Sequence, residues 1–168
     1  AAVRNGGAQD DWWTESSGRG GHEYATFYLG GELLALDATM VREAVPAEQM
    51  TATPAGTHPA RVGLIPPTSN TALGHFIWVY DLAALLNPAT PLHRPLEGRQ
   101  IILVQQGTQL FGLLVDELHA VPEFDAGEVI EAPFGGGVGL IDRLIRARGG
   151  QVLIAVINGQ RLARAVLG

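Results

Sequence analysis

The sequence predicts a mostly β chain folded as two small closed barrels. Two observations carry that expectation. Many short apolar segments follow one another at regular spacing, each stopped by Gly or Pro, and that pattern marks closed β-barrels rather than helical layers. The chain also repeats itself. Val62-Gly63-Leu64-Ile65 is written again at Val138-Gly139-Leu140-Ile141, 76 residues on. The same offset carries Ala44-Val45-Pro46 onto Ala120-Val121-Pro122, Gly31 onto Gly107, Leu34 onto Leu110 and Gly74 onto Gly150. Matches in one shared register indicate a duplicated unit of roughly 63–70 residues. Two copies give two barrels, with boundaries expected at 24–98 and 99–168.

Residues 1–23 are rich in Gly, Ser and charge, lack periodicity, and read as a flexible leader. Trp12-Trp13 stands out in it as an apolar pair able to dock on the chain's own surface or on a partner. Ala25–Leu29 reads as a strand, Gly30-Gly31 as a tight turn and Leu33–Leu36 as the returning strand. Over Ala38–Val45 the apolar residues fit a helix as well as a strand; the stop at Pro46 favours a short strand, Val41–Val45. Pro46–Arg61 is a loop marked by Pro46, Pro54, Gly56 and Pro59. Val62–Ile65 is a short strand. Pro66–Asn70 must turn, because proline cannot donate to a sheet ladder. Phe76–Tyr80 is the best strand in the chain, and Asp81 caps a short helix, Leu82–Leu86.

After a linker, Pro88–Gly98, the order repeats. Gln100–Gln105 and Leu110–Val115 are strands about a turn at Gln106-Gly107, with Gly112 allowing close backbone approach. Asp116–Pro122 matches Met40–Pro46. Glu123–Glu131 reads as an acidic loop and Phe134–Gly139 as a Gly-rich turn. Val152–Ile157 is a strand, Asn158-Gly159 a turn or cap, and Gln160–Leu167 a closing helix.

Composition narrows the function. Apolar residues make up 46% of the 168 and charged residues 17%, so a folded chain with a real core is expected. The formal charge of −6 disfavours nucleic acid and anionic membrane surfaces. No apolar run reaches the length of a membrane-spanning helix, and no membrane insertion is expected. Cysteine is absent, which excludes disulfides and thiolate metal sites and fits a cytoplasmic setting. All eleven basic residues are Arg.

Catalytic readings are weak. Ser69, His75 and Asp81 are spaced six apart, but no nucleophile elbow surrounds Ser69. The five histidines are scattered singly, without metal-ligand spacing. Gly135–Gly139 lacks the Gly-Lys-Ser/Thr of a phosphate loop. Neither a cofactor nor a metal is expected. Asp116–Glu131 carries six carboxylates, and Arg143–Arg164 carries five Arg. Ion pairs between two such exposed groups contribute about 0–1 kcal/mol each and set orientation more than affinity.

Several stretches together resemble the CheW-like domain, the adaptor fold of bacterial chemotaxis arrays. Phe27–Leu36 looks like that family's opening hairpin and Val41-Arg42-Glu43-Ala44-Val45 like its Val-x-Glu-x-Val strand. Gly63-Leu64-Ile65 followed by Phe76–Leu82 is similar to its Gly-Val-Ile turn and the strand after it. Phe111-Gly112-Leu113-Leu114-Val115-Asp116 is the most specific match. The resemblance covers residues 24–167. It implies two SH3-like five-stranded barrels sharing an apolar interface, short helices after strands and at the C-terminus, and a scaffold without an active site. The implied partner is the regulatory domain of a chemotaxis-type histidine kinase, with a chemoreceptor tip or a polar-localisation protein as further partners; array localisation and type IV pilus signalling are the alternative settings, and a small-ligand or hydrolytic barrel is the remote one. One departure is large. The family's Asn-Leu-Arg-Gly turn is replaced by Pro66–Gly74, with only Gly74 matched and the Arg missing, which argues against ordinary receptor coupling.

The resemblance places a partner-binding groove at Val41, Glu43, Val45, Leu64, Ile65, Pro66, Pro67 and Val121. Strict alternation would send Val41, Glu43 and Val45 to one side of their strand. A carboxylate sharing a face with two valines is costly to bury unpaired and suits the rim of an apolar groove.

Overall fold

The computed structural model describes residues 21–54, 56–67, 76–132 and 139–167. Trp12-Trp13, Ser69, Gly74, His75 and Phe134–Val138 lie outside the described residues. The strands are β1 (His22–Leu29), β2 (Glu32–Asp37), β3 (Val41–Pro46), β4 (Thr51–Ala52), β5 (Arg61–Ile65), β6 (Ile77–Asp81), β7 (Gln100–Gln106), β8 (Gln109–Val115), β9 (Glu117–Ala120), β10 (Glu123–Phe124), β11 (Val129–Glu131), β12 (Ile141–Ala147) and β13 (Val152–Ile157). Two helices, α1 (Leu82–Leu86) and α2 (Gly159–Leu167), follow β6 and β13. The expected strand at Val41 holds, introduced by a single 3-10 turn at Ala38–Met40. Asp81 caps α1, its carboxylate accepting the Ala83 N–H at 3.0 Å.

The strands form two sheets that curl into SH3-like barrels. One runs β10-β1-β2-β13-β12-β11, with β9 also on β1; the other runs β3-β7-β8-β6-β5-β4. They are called here the terminal and the central barrel. Counting the short strands, the described residues give them seven and six strands, where five each were expected. The leader gives up His22 and Glu23 to β1, and the loop after Pro46 contains β4. The acidic stretch Glu123–Glu131 is β10, a 3-10 turn and β11 rather than a loop. Its 3-10 turn begins where the Asp125 N–H donates to the Glu128 carboxylate at 2.8 Å.

Strand pairing crosses the boundary at 98/99. The β1–β2 hairpin of the first half joins the terminal barrel, where β2 lies parallel to β13. The β7–β8 hairpin of the second half joins the central barrel, where β8 lies parallel to β6. The barrels are therefore not residues 24–98 and 99–168. Each half hands its opening hairpin to the other, because parallel neighbours need a long crossover and the linker after α1 supplies one.

The pairing also corrects the register of the repeat. The two-residue turns put Gly30 at the place of Gly107, an offset of 77. Equivalent bulges, at Arg42 beside β7 and at His119 beside β1, keep that offset. At 77, Leu34 and Leu36 fall on Phe111 and Leu113, and all four are buried. At 76 they would fall on positions of the opposite face, since one residue of slip inverts a strand. In β12 the offset is 80: Leu64 pairs with Trp78 as Leu144 pairs with Ala155, so Val62–Ile65 corresponds to Asp142–Ile145. The repeated tetrapeptide is not structurally equivalent to its copy.

Three apolar clusters fill the molecule. Val45, Val62, Ile65, Ile77 and Leu103 are among those inside the central barrel. Tyr24, Phe124, Ile145 and Ile154 belong to the interior of the terminal one. The largest cluster lies between them: Phe27, Leu34 and Leu36 from one sheet meet Ile102, Phe111 and Leu113 from the other, with Leu82 and Leu162 from the two helices. Phe27, Leu36 and Leu113 are fully buried there.

A split experiment tests this exchange. Residues 24–98 and 99–168 made separately are each expected to lack a cooperative thermal transition, because neither holds a complete sheet. Mixed, they are expected to regain one. A cooperative transition in either fragment alone would show that the hairpins are dispensable.

Candidate interaction surface

The Phe111–Asp116 motif is explained by what its residues touch. A Cβ on Gly112 would lie 2.8 Å from Ile101 Cγ2 and 3.1 Å from Val79 Cγ2, so β8 must be bare there to lie between β7 and β6. Asp116 ends the strand and ties the barrels together. Its carboxylate accepts the Gly30 N–H at 2.7 Å, and its own N–H donates to the Tyr28 carbonyl at 3.1 Å. Gly30 and Gly31 both have positive φ, as this hairpin turn requires.

The other side of Asp116 faces Arg99, with Nε 3.5 Å from Oδ1. The Arg99 side chain is nine-tenths buried, and none of its three nitrogens has a hydrogen-bond partner among the described residues. Arg94 reaches Asp81 at 3.3 Å, and the Asp81 side chain is almost wholly buried. Burial, then the nearby Arg94 cation, lowers the Arg99 pKa; Asp81 and Asp116 oppose this. Two cations and two carboxylates thus clamp the Pro88–Gly98 linker to the ends of β6 and β8. Removing Asp116 leaves the buried Arg99 cation to Asp81 alone, which Arg94 already engages, whereas an apolar side chain of similar length in place of Arg99 removes the charge itself. Asp116→Ala is expected to cost about 2 kcal/mol. Arg99→Met is expected to be near neutral, both read from chemical denaturation.

The expected groove residues do not form one face. β3 is an edge strand on β7, with Val41 opposite Val104 and Glu43 opposite Leu103. Arg42 is the extra residue between them, its guanidinium donating to the Gln105 side-chain oxygen. Directly opposed residues share a face, so the bulge separates Val41 from Glu43 and Val45. Val41 packs on the cluster between the barrels. Val45 is buried inside the central barrel, and Glu43 is exposed on Val45's side of the strand. The alternation argument failed at this one inserted residue.

Leu64 and Ile65 lie on β5, with Ile65 buried in the barrel and Leu64 half-buried beside Trp78. Trp78 is 39% exposed, and the Arg61 guanidinium stacks on it at 4.0 Å. Sequence reasoning passed over this pair; the i, i+2 exposure of Phe76 and Trp78 on a strand was the available signal. Pro66 is half-buried and Pro67 exposed; residues 68–75 beyond them are not described. Val121 is 48% exposed and sits in the terminal barrel, between β9 and β10.

Three further polar groups are tied into the fold by hydrogen bonds. His119 Nδ1 lies 2.9 Å from the hydroxyl of buried Thr26, which also donates to the Ala120 carbonyl at 3.1 Å. His58 Nδ1 accepts the Ala60 N–H at 3.0 Å, so its Nε2 carries the proton that meets the Ala165 carbonyl at 2.6 Å. No metal-binding cluster occurs among the described residues. Asp37 takes the Thr39 N–H and hydroxyl and lies 2.9 Å from His22. Burial pushes its pKa up, but these bonds outweigh it and the net shift is downward. A lowered carboxyl pKa contributes stability that is complete above the unfolded value and lost as pH falls below about 4. The stability gap between the wild type and Asp37→Asn should therefore shrink between pH 5 and pH 3, as followed by urea unfolding.

The sequence matches the CheW-like domain family over residues 23–166. The chain belongs to the CheW-like domain family. Among solved structures, it is similar to the scaffolding protein CheW of Thermoanaerobacter tengcongensis, with a TM-score of 0.64 and 24% identity over 82% of this chain and 89% of that one. A comparison with the curated proteins found no match. As a CheW-like domain the chain is a scaffold of chemotaxis-type coupling, in a fold that family and structure share. No helix among the described residues is long and apolar enough to cross a membrane.

Proposed function

We propose that this CheW-like domain is a non-catalytic, cytoplasmic adaptor that binds the regulatory domain of a chemotaxis-type histidine kinase. The observation that carries the reading is the edge strand β3, whose bulge leaves Glu43 exposed beside Arg42, whose own guanidinium is engaged by Gln105. An edge strand is a ready partner for another chain unless it is managed, and a solvated carboxylate on it selects a basic counterpart. Val41 and Val45 anchor β3 from below, one in the cluster between the barrels and one inside the central barrel; Leu64, Ile65, Pro66, Pro67 and Val121 lie on or beside other elements and are left out of this surface. Among the described residues, two of the surface depressions, of about 430 and 600 Å³, each present a single charged side chain, Arg164 and Glu32, which supports an adaptor over a small-ligand or hydrolytic barrel. Two prolines in place of the family's turn support weak or no binding of a chemoreceptor tip, and array localisation or pilus signalling remains the second setting.

Affinity and stability of the same variants test this. Glu43→Ala removes an exposed charge and is expected to change stability by less than about 0.5 kcal/mol while weakening kinase-domain binding. Val41→Ser reaches the cluster between the barrels and is expected to cost about 1–3 kcal/mol. Unchanged affinity in folded Glu43→Ala protein would overturn the assignment.

A further inference from the structure

Because the barrels are copies, each is a control for the other. In both, a 3-10 turn crosses the seam where the sheet path ends, from β3 to β4 and from β10 to β11. The central barrel's seam is plugged. Ala47 and Met50, at the two ends of the crossing, are buried in its interior. Met50 lies over Gly63, where a Cβ would come within 2.7 Å of its sulfur. The same positions of the terminal barrel hold Ala126, which is exposed, and Val129, which is half-buried. Arg143 stands where Gly63 stands.

The terminal seam is consequently a groove of about 490 Å³, whose wall includes Tyr24, Phe124, Val129, Ile130 and Arg143. Ile130 remains 36% exposed there. The described part of the leader, residues 21–23, starts at this groove. Gly21 is part of its wall and is pressed against β10: a Cβ at Gly21 would lie 2.3 Å from the Phe124 carbonyl oxygen.

We propose that the leader folds back into this groove and that Trp12-Trp13 supplies the missing plug. Seven residues separate Trp13 from Gly21. At about 3.3 Å per extended residue they let the pair lie anywhere within roughly 25 Å of Gly21. So short a tether holds the pair at an effective concentration of about millimolar, so modest intrinsic affinity suffices. An indole fits an apolar floor with a polar rim, and Tyr24 and Phe124 offer aromatic faces. Asp10 and Asp11 precede the pair, and Arg143 lines the groove together with His22 and Glu131. Arg143 lies 3.4 Å from both the Asp142 carboxylate and the Tyr24 hydroxyl, and Glu131 stands opposite it across the strand pair. Docking would also cover the edges of β10 and β11, which end the sheet path.

The chain has three tryptophans, so in Trp78→Phe all indole emission comes from the leader. That protein is expected to emit at shorter wavelength than a peptide of residues 1–21, and to resist acrylamide quenching. Ile130→Glu in the groove should return the emission to that of the peptide. Leu153→Glu, on another exposed surface of the same barrel, should leave it shifted. Hydrogen exchange provides a measurement independent of these groove variants: deleting residues 1–20 should speed exchange in β10 and β11 and leave β3 and β4 unchanged. Peptide-like emission in the Trp78→Phe protein would overturn the proposal. So would a shift that Ile130→Glu leaves intact, or one that disappears on dilution and so reports docking into a second copy. Unchanged exchange in β10 and β11 would do the same.

Discussion

The reciprocal exchange of hairpins governs this molecule. Neither barrel holds enough strands from its own half to close, so β1–β2 and β7–β8 must each find β13 and β6 in the other half. The two exchanged hairpins then face each other across the largest apolar cluster. Burying Phe27, Leu36, Phe111 and Leu113 together therefore completes both barrels at once. A unit of some 70 residues is marginal alone, and sharing a core is the physical remedy.

Polar groups fix how the halves meet. Asp116 closes the β1–β2 turn through Gly30 and simultaneously faces Arg99. Apolar packing is tolerant of small slides, but a carboxylate bonded to one specific N–H is not. The Arg99–Asp116 and Arg94–Asp81 pairs add little net stability for their desolvation. Their effect is to hold the linker in one path between the sheets, so that β7 begins where β3 can pair with it.

Much of this was legible in the sequence. Gly30-Gly31, the Asp81 cap and the strand at Val41 follow from local chemistry, and the structure repeats them. The resemblance to the CheW-like family was legible in Phe111–Asp116 because Gly112 and Asp116 answer steric and hydrogen-bonding demands that few other residues meet. Strand exchange was not legible, since both copies carry the same apolar pattern and pattern alone does not say which copy a hairpin joins. The offset of 76 rested on identical letters, whereas burial follows 77. Leu34 belongs with Phe111, a match of environment and not of identity. β12 escaped notice because Asp142, Arg143 and Arg146 interrupt its apolar residues.

The bulge at Arg42 shows how a duplicated scaffold acquires different surfaces without altering its core. The insertion is present in both copies, facing β7 in one and β1 in the other. In the terminal barrel the inserted residue is His119, and its ring turns to buried Thr26 and the edge of Tyr28. In the central barrel it is Arg42, exposed and bonded to Gln105 at the surface. The residue after it is half-buried Ala120 in one copy and exposed Glu43 in the other. The same backbone irregularity thus closes one edge with an internal polar network and leaves the other edge charged and available. A bulge disrupts the ladder and turns its strand wherever it occurs. Only the side chains placed on it decide whether that edge is sealed or offered to a partner, and β3 is the edge that carries the charge.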